Sequence, residues 1–279
     1  MRKLIKLQYV NHINEVVDIG NGGIYAGSSD LRDYVWTVNQ RGKRISSLTR
    51  EVVTRRLPLI ITAPTVEESY QIRNRLFEIA EKDVLAMQPG KLICGGYYYS
   101  CYVTKSEKPS YWKDERTLVV ELTLTTDRPV WIKESTYSFT EKSSRAAGSD
   151  GEDLDYPYDY PHDYTSGVNT QILKNPGFVG TNFRIIIYGV CENPQIIINE
   201  HTYKLNATAE AGEYIVIDSY AKTIYKVSAD GSKTNIFSSR DKSSYIFEPI
   251  SPGANSVTWN GTFAFDVIIL EERSEPKWI

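Results

Sequence analysis

The stretch that decides the fold is Thr65-Val-Glu-Glu-Ser-Tyr-Gln-Ile-Arg-Asn-Arg-Leu-Phe-Glu-Ile-Ala-Glu-Lys-Asp-Val84. Thr65 is a good N-cap residue, and Glu68 completes a capping box three positions later, so a helix is predicted to begin here. Glu78 precedes Lys82 by four residues, which predicts a weak supporting ion pair. An apolar stripe at helical spacing consists of Ile72, Leu76, Ile79 and Ala80.

Nearly all of the remaining sequence is typical of strands and turns. A single amphipathic helix in such a chain must bury its stripe against a sheet, and the first half is organised around that contact. Arg41-Gly-Lys-Arg44 predicts a basic turn, and Gly95-Gly96 predicts a bulge. The predicted strands of this half are 3–10, 13–19, 31–40, 54–62, 91–103 and 116–125, the first two forming a hairpin.

A local cluster of basic residues surrounds the predicted turn. Two interpretations are open: the cations either lie on solvated strand edges or form a charged face directed toward another subunit. The cluster consists of Arg41, Lys43, Arg44, Arg50, Arg55 and Arg56.

Residues 141–168 interrupt the strand pattern and predict a linker. The part at 143–151 is rich in Ser, Gly and Ala, and Tyr156-Pro-Tyr-Asp-Tyr-Pro-His-Asp-Tyr164 follows it. Proline holds its own backbone extended and also favours an extended conformation in the residue before it. This segment is therefore predicted to be a strap between domains. The predicted division is therefore 1–140, a linker at 141–168, and 169–279.

The second half is almost purely strand-like. Turn residues punctuate it at near-regular spacing, and seven or more short strands without a helix predict a β-sandwich. The predicted strands are 183–190, 195–198, 214–218, 223–227, 244–250, 256–259 and 262–270.

Composition narrows the range of partners. The 279 residues carry a net charge of −3, which gives no reason to expect nucleic-acid binding or an anionic membrane surface. No signal peptide and no apolar run of spanning length is found, so membrane insertion is not expected. Three cysteines without framework spacing favour a reducing compartment. The 20 tyrosines fit either a β-sheet or a surface that meets proteins or sugars.

The sequence offers no catalytic, cofactor or metal site. His12, His162 and His201 are scattered and have no partner at ligand spacing. The acidic residues between Asp150 and Asp155 lack the order of a calcium loop and favour a solvated linker. No nucleophile elbow, phosphate-binding loop or zinc-protease motif is present. We therefore expect that the protein is not an enzyme, with no catalytic residues, no cofactor and no metal.

Several ordered motifs in the second half together resemble one family. That family is the siphophage distal tail protein (Dit, or phage tail component) of Gram-positive phages and prophages, and the likeness spans almost the whole chain. The motifs are the Tyr-Pro-x-Asp-Tyr tandem at 156–164, Gly189 with Asn193-Pro194, 212–218, 222–224, 235–237, 244–250, 252–259 and Glu271-Glu-Arg-Ser-Glu-Pro276.

The resemblance implies a mainly β fold, with an N-terminal β-sandwich carrying one α-helix and a C-terminal galectin-like (jelly-roll) β-sandwich. It implies a virion component of the tail tip, a baseplate hub whose copies form a hexameric ring. The implied partners are the major tail tube protein, the tail-tip or tail-associated protein and receptor-binding proteins. Assembly would take place in the cytoplasm of the host bacterium. The family has no catalytic residues to carry over.

The alternative is a carbohydrate-binding, lectin-like module, because galectins hold galactose with a His/Asn/Arg set and a stacking Trp. Trp259 is present, but His201 and Asn206 have no matching Arg. Trp259 also lies in an alternating run beside Val257, which predicts a core position. A third reading, a cell-wall hydrolase, has no acid/base pair to support it.

Overall fold

The computed structural model describes residues 7–141 and 169–278. The described chain is mainly β, with one α-helix, as predicted. It divides into two compact units. The first unit contains the residues up to Lys133 together with those from Glu272 onward, and the second unit is Glu134–Glu271. The predicted linker, apart from Glu141, lies outside the described residues.

The bounds of the compact units differ from the predicted division at two places. Residues 134–140 belong to the second unit, although the prediction placed them in the first domain. Residues from Glu272 onward belong to the first unit, although the prediction joined them to the second. The chain passes between the units within two strands, β10 (Trp131–Phe139) and β21 (Phe265–Arg273). Along the sequence, the second unit thus lies between two parts of the first. Independent folding of either part stays a prediction.

The antiparallel strands of the first unit pair in two ladders that share the long strand β8: one has the order β10-β8-β7-β1-β2 and the other the order β8-β9-β6-β3. The long strand β8 pairs with β7 through residues 97–101 and with β9 through residues 102–107. The strands are β1 Leu7–Val10, β2 Val16–Ile19, β3 Ile24–Ala26, β4 Thr37–Arg41, β5 Arg44–Thr49, β6 Val53–Thr62, β7 Gly90–Cys94, β8 Tyr97–Glu107 and β9 Thr117–Thr126.

The predicted helix is confirmed as α1, Val66–Ala86. The Thr65 side chain caps it by accepting the backbone N–H of Glu68 at 3.2 Å. Leu76, Ile79 and Ala80 are buried against strands β2, β6 and β8, so the apolar stripe faces the sheet as expected. Four residues after Glu78, Lys82 instead pairs with Glu15 of the preceding loop at 2.8 Å, so the predicted pair within the helix is wrong.

A buried carboxylate joins the helix to the first hairpin. Asp83 is fully buried and accepts the Tyr9 hydroxyl at 2.5 Å, the His12 backbone N–H at 2.8 Å and His12 Nδ1 at 2.6 Å. Gly90 passes so close that an added Cβ would meet Asp83 Oδ2 at 2.3 Å. This cluster therefore fixes the last turns of the helix to the first hairpin through side-chain hydrogen bonds.

Two predictions for the first half are wrong in detail. The strand predicted for residues 31–40 begins only at Thr37, because Leu31 is a core residue in a turn region. Gly95-Gly96 is a hairpin turn between β7 and β8 rather than a bulge, since both glycines have positive φ, 57° and 82°. The predicted hairpin of β1 and β2 is confirmed for its described residues.

The second unit is a β-sandwich, as predicted. One sheet has the order β19-β18-β17-β12-β21, the other β11-β20-β14-β15, and β13 pairs with β16. Their inner faces form one core that includes Ile185, Ile217, Val257 and Val267. The strands are β11 Asn169–Asn175, β12 Phe183–Tyr188, β13 Cys191–Glu192, β14 Gln195–Ile198, β15 His201–Lys204, β16 Thr208–Ala209, β17 Tyr214–Asp218, β18 Thr223–Val227, β19 Lys233–Asn235 and β20 Gly253–Trp259.

The strand predicted for residues 244–250 is wrong. These residues form turns after a short 3-10 helix, Phe237–Ser239, and only Ile250 makes an isolated bridge, to Thr181. Ile246, Phe247 and Ile250 are buried in the core. The apolar run therefore reflects burial of a loop and not strand pairing.

Candidate functional site

A two-stranded hairpin of the first unit, residues 37–49, is almost wholly exposed and is called here the exposed hairpin. In the described part of the chain, β4 and β5 pair with each other and with no other strand. Every residue of the two strands except Thr37 is exposed. The hairpin therefore has two unpaired edges and two uncovered faces.

The turn of the exposed hairpin is the predicted basic turn. Arg41 pairs with Arg44, which leaves the two-residue loop Gly42-Lys43. Gly42 has φ 64°, as the first central residue of a type II′ turn requires. This turn type matches the twist of the flanking strands, so the short glycine-containing sequence is sufficient to specify the reversal.

The two faces of the hairpin differ in polarity. Cross-strand pairing places Val38 opposite Leu48 and Gln40 opposite Ile45, so these side chains share one face. The three apolar side chains there, Val38, Ile45 and Leu48, are 47%, 64% and 53% exposed. On the opposite face, Asn39 donates from Nδ2 to Ser47 Oγ and Thr49 Oγ1 at 3.1 and 3.0 Å. We call the first of these the apolar face.

An uncovered apolar face on a hairpin that pairs with no other described strand requires a physical explanation. An isolated two-stranded hairpin is only marginally stable in water, and free strand edges invite pairing with other chains. A contiguous apolar patch on a protein surface, unlike single exposed apolar side chains, marks an interaction site. The exposed hairpin is therefore the candidate assembly surface of the first unit.

The base of the hairpin is held by arginines of the predicted basic cluster. Arg50 lies 4.0 Å from the Trp36 ring centroid and donates from Nη2 to Ser274 Oγ at 2.9 Å. Burial lowers the pKa of Arg50 from its ordinary value. Arg55 is buried and donates to the Asp33 carbonyl at 2.6 Å. These two arginines are structural anchors, whereas Arg41, Lys43, Arg44 and Arg56 are exposed.

The segment from Glu272 onward is anchored to the same region of the first unit. Arg32 stacks over the Trp278 ring at 3.9 Å and donates to the Pro276 carbonyl at 3.0 Å. Arg128 pairs with Glu272 at 2.5 Å. Sequence reasoning missed this arrangement, because the partners are more than 140 residues apart and no local pattern links them.

The histidines do not form a site in the described chain. His12 contacts the buried Asp83, and His201 Nε2 lies 2.8 Å from the Tyr245 carbonyl. His162 and the acidic stretch between Asp150 and Asp155 lie outside the described residues. Within residues 7–141 and 169–278, no three His, Cys, Asp or Glu side chains gather as metal ligands. In the same ranges, no helix is both long and apolar enough to span a membrane.

Trp259 is a core residue, as predicted. It is 3% exposed and packs edge-on against Phe139 and Phe265, with ring centroids 5.6 and 5.2 Å away. Its indole N–H donates to the Phe263 carbonyl at 3.2 Å. A ring enclosed in this way has no free face on which a sugar could stack.

The fold matches solved structures of phage tail proteins. The crystal structure of the Dit protein of phage SPP1, described as a paradigm of the hub adsorption apparatus in phages that infect Gram-positive bacteria, aligns with a TM-score of 0.57 at 11% identity. The alignment covers 97% of this chain and 100% of that one. Two structures of the phage p2 baseplate in its activated conformation, with Ca and with Sr, give TM-scores of 0.62 and 0.63 at 13% identity. Each covers 98% of this chain and 100% of its own.

The sequence matches no protein-family model, and no curated protein gives a significant match. At 11–13% identity, the structural likeness establishes the fold. The chain thus has the fold of phage distal tail and baseplate hub proteins along nearly its whole length, and the fold that the sequence resemblance implied is confirmed.

Proposed function

We propose that this protein is a structural subunit of a phage tail tip. Its copies form a closed ring that joins the tail tube to the tail-tip and host-adsorption proteins. The observation that carries the proposal is the uncovered apolar face of the exposed hairpin, in a chain with the fold of baseplate hub proteins. The hexameric number, the tube and tip partners, and assembly in the host cytoplasm follow from the family resemblance.

The occupant of the apolar face is a second copy of this chain. A contact between two different surfaces of identical subunits propagates from copy to copy, and it closes into a ring when the rotation allows. In the ring, the neighbouring copy would cover Val38, Ile45 and Leu48, which are exposed in the single subunit. Removing these apolar side chains from water would stabilise the contact. The free edges of β4 and β5 would be shielded in the same contact.

Charge gives a second reason for self-association. The hairpin tip carries Arg41, Lys43 and Arg44, all exposed. Helix α1 of the same chain exposes Glu67, Glu78 and Glu81, whose spacing places them on one helix face. Of the two exposed cations beside them, Lys82 is paired with Glu15 and Arg75 donates to the Val16 carbonyl. A cationic tip and an acidic face on one subunit are complementary between neighbours, and such pairs set orientation more than affinity.

Matched substitutions on the two faces of the hairpin test the proposal. Val38→Asp and Leu48→Asp place a charge on the apolar face, and we expect them to abolish assembly of the full chain, measured by multi-angle light scattering. Asn39→Asp and Ser47→Asp add the same charge to the opposite face of the same strands. These controls should assemble as the unchanged protein does.

Equal behaviour of the two pairs of variants would contradict the role of the apolar face. The tip is tested separately: Arg44→Glu should weaken assembly, and adding Glu78→Arg should restore part of it. If the double variant is no better than Arg44→Glu alone, the acidic helix face is not the partner of the tip.

The proposal assigns no catalytic chemistry to the chain. The lectin alternative required an exposed stacking Trp, and Trp259 is enclosed in the core. The enzyme alternative has no acid/base pair to rest on. The structural role therefore accounts for more of the described features than either alternative.

A further inference from the structure

An open groove in the second unit combines aromatic rings with positive charge. It is lined by Phe237 and residues 240–247 and has a volume of about 480 Å³. Ligand sites for small molecules commonly have volumes of ~300–1,000 Å³, with apolar walls and a few placed polar groups. We call it the cationic groove. One wall is the turn region at 244–247 that the sequence analysis assigned to a strand.

Three aromatic rings line the groove as a strip, of which Tyr245 is exposed, Phe237 is half-buried and Phe247 is buried. Phe237 and Phe247 are nearly parallel, with centroids 6.0 Å apart and planes inclined by 19°. Tyr245 meets Phe247 edge-on at 5.9 Å and is 54% exposed. The Tyr245 carbonyl accepts the Glu248 N–H at 3.1 Å and lies 2.8 Å from His201 Nε2. The backbone that presents the exposed ring is therefore fixed in advance.

Cations flank the strip. The Arg240 guanidinium lies 4.1 Å from the Phe237 ring centroid, and its Nη1 donates to the Phe237 carbonyl at 2.9 Å. Lys222 is not part of the groove lining but lies beside it, with Nζ 5.3 Å from the Phe247 ring and 5.5 Å from the Tyr245 ring. Lys242 lines the groove and is exposed. None of the ion pairs found in residues 7–141 and 169–278 involves any of these three cations.

The single acid of the groove does not neutralise them. Asp241 accepts the Ser243 N–H at 2.8 Å and lies 3.7 Å from Lys204, so its charge is already partnered. The groove is thus locally positive in a chain whose net charge is −3. A locally positive site with unpaired donors favours an anionic ligand.

We infer that the cationic groove binds a saccharide that carries a phosphate or a carboxylate group. The C–H face of a sugar ring can lie on the exposed Tyr245 ring, while Lys222 and Lys242 pair with the anionic substituent. A neutral sugar would leave the lysines unused, and an inorganic anion would leave the ring unused. The site is separate from the buried Trp259 and does not depend on ring assembly.

Saturation-transfer difference NMR on the full chain tests the inference in any assembly state. The probes are glucose 6-phosphate, glucuronic acid, glucose and inorganic phosphate. For a single sugar residue with few contacts we expect a Kd on the order of 1–10 mM. At least one of the two anionic sugars should bind, and which of them binds distinguishes a phosphorylated from a uronic ligand. Glucose should bind at least about tenfold more weakly.

Two variants and one control complete the test. Lys242→Glu and Tyr245→Ala should each weaken binding of the anionic sugar by about tenfold or more. Lys233→Glu makes the same charge change at an exposed lysine of the same unit outside the groove, and it should leave binding unchanged. Unchanged melting temperatures show that all three variants are folded.

Three results would overturn the inference. The first is the absence of any transfer signal from either anionic sugar to the unchanged chain. The second is equal binding of glucose, which removes the role of the cations. The third is a combined result, in which inorganic phosphate binds as tightly as glucose 6-phosphate and Tyr245→Ala has no effect on binding. That result would show that the groove is a simple anion site.

Discussion

Replacing Trp259 by alanine should strongly destabilise the second unit. The ring is 3% exposed, contacts Phe139 and Phe265 edge-on, and donates its N–H to the Phe263 carbonyl at 3.2 Å. Alanine would leave a cavity between the two sheets of the sandwich and an unpartnered buried carbonyl. Both effects act in the folded state.

The magnitude follows from the buried area. A Trp of about 200 Å² at about 25 cal/mol per Å² gives about 5 kcal/mol, an upper bound because unfolded chains are partly compact. Measured losses for buried Phe or Trp to Ala are about 3–5 kcal/mol. The lost hydrogen bond adds about 1 kcal/mol, so we expect about 4–6 kcal/mol in all. Trp259→Phe keeps a ring in place and should lose only about 1–2 kcal/mol.

Urea unfolding of the full chain, followed by circular dichroism, measures these differences. Trp112 is 68% exposed, so Trp112→Ala is the matched control and should change the free energy of unfolding by less than about 0.5 kcal/mol. A loss below about 1 kcal/mol for Trp259→Ala, together with saturable quenching of Trp259 by galactose, would refute the core assignment and favour the lectin alternative.

Three further predictions concern stability and reactivity. Asp83→Ala removes the acceptor of three hydrogen bonds and should lower the free energy of unfolding by about 2–4 kcal/mol, with Asp83→Asn losing less; a change below about 1 kcal/mol would contradict the described cluster. All three cysteines are buried, and burial raises the pKa of Cys101 to about 12, so the native chain should react with Ellman's reagent far more slowly than the urea-unfolded chain; rapid reaction of the native chain would show the burial to be wrong. A fragment of residues 134–271 should unfold cooperatively, and a fragment of residues 169–279 should be less stable because it lacks Phe139; equal stability of the two would show that Phe139 is not part of the core.

Local signals in the sequence specified the helix and the basic turn. The cap at Thr65 and the stripe from Leu76 to Ala80 involve neighbours within one or two turns, so the sequence alone contains the information. The end of the helix was less visible, because Met87 adopts φ 51° without being a glycine. Gly42 fixed the turn at the tip of the exposed hairpin in the same local way.

Contacts between distant residues were not visible in the sequence. The burial of Asp83 depends on Tyr9 and His12, more than 70 residues earlier, and a lone Asp in a helix gives no sign of such partners. The return of the segment around Pro276 to Arg32 spans 244 residues. The apolar run at 244–250 had the composition of a strand, but its side chains enter the core from turns. Each error arose where tertiary burial outweighed local propensity.

The sequence predicted the basic residues near the exposed hairpin but not its apolar face. The basic residues indicated a possible subunit contact, and the structure divides them into exposed tip residues and anchored residues such as Arg50 and Arg55. Which side chains share a face depends on the register, and a shift lies between Asn39 and Gln40. A bulge of this kind moves every later side chain to the other face, so the sequence alone does not show which side chains form the apolar face.

Electron microscopy of the purified full chain, with class averages computed without imposed symmetry, tests the central claim most directly. We expect closed rings of six copies, with a mass of about 190 kDa, six times 31.7 kDa. Rings should be absent from the Val38→Asp variant and present in Asn39→Asp. Particles that stay single subunits at the highest attainable concentration, or that form open filaments, would contradict a ring built through the exposed hairpin.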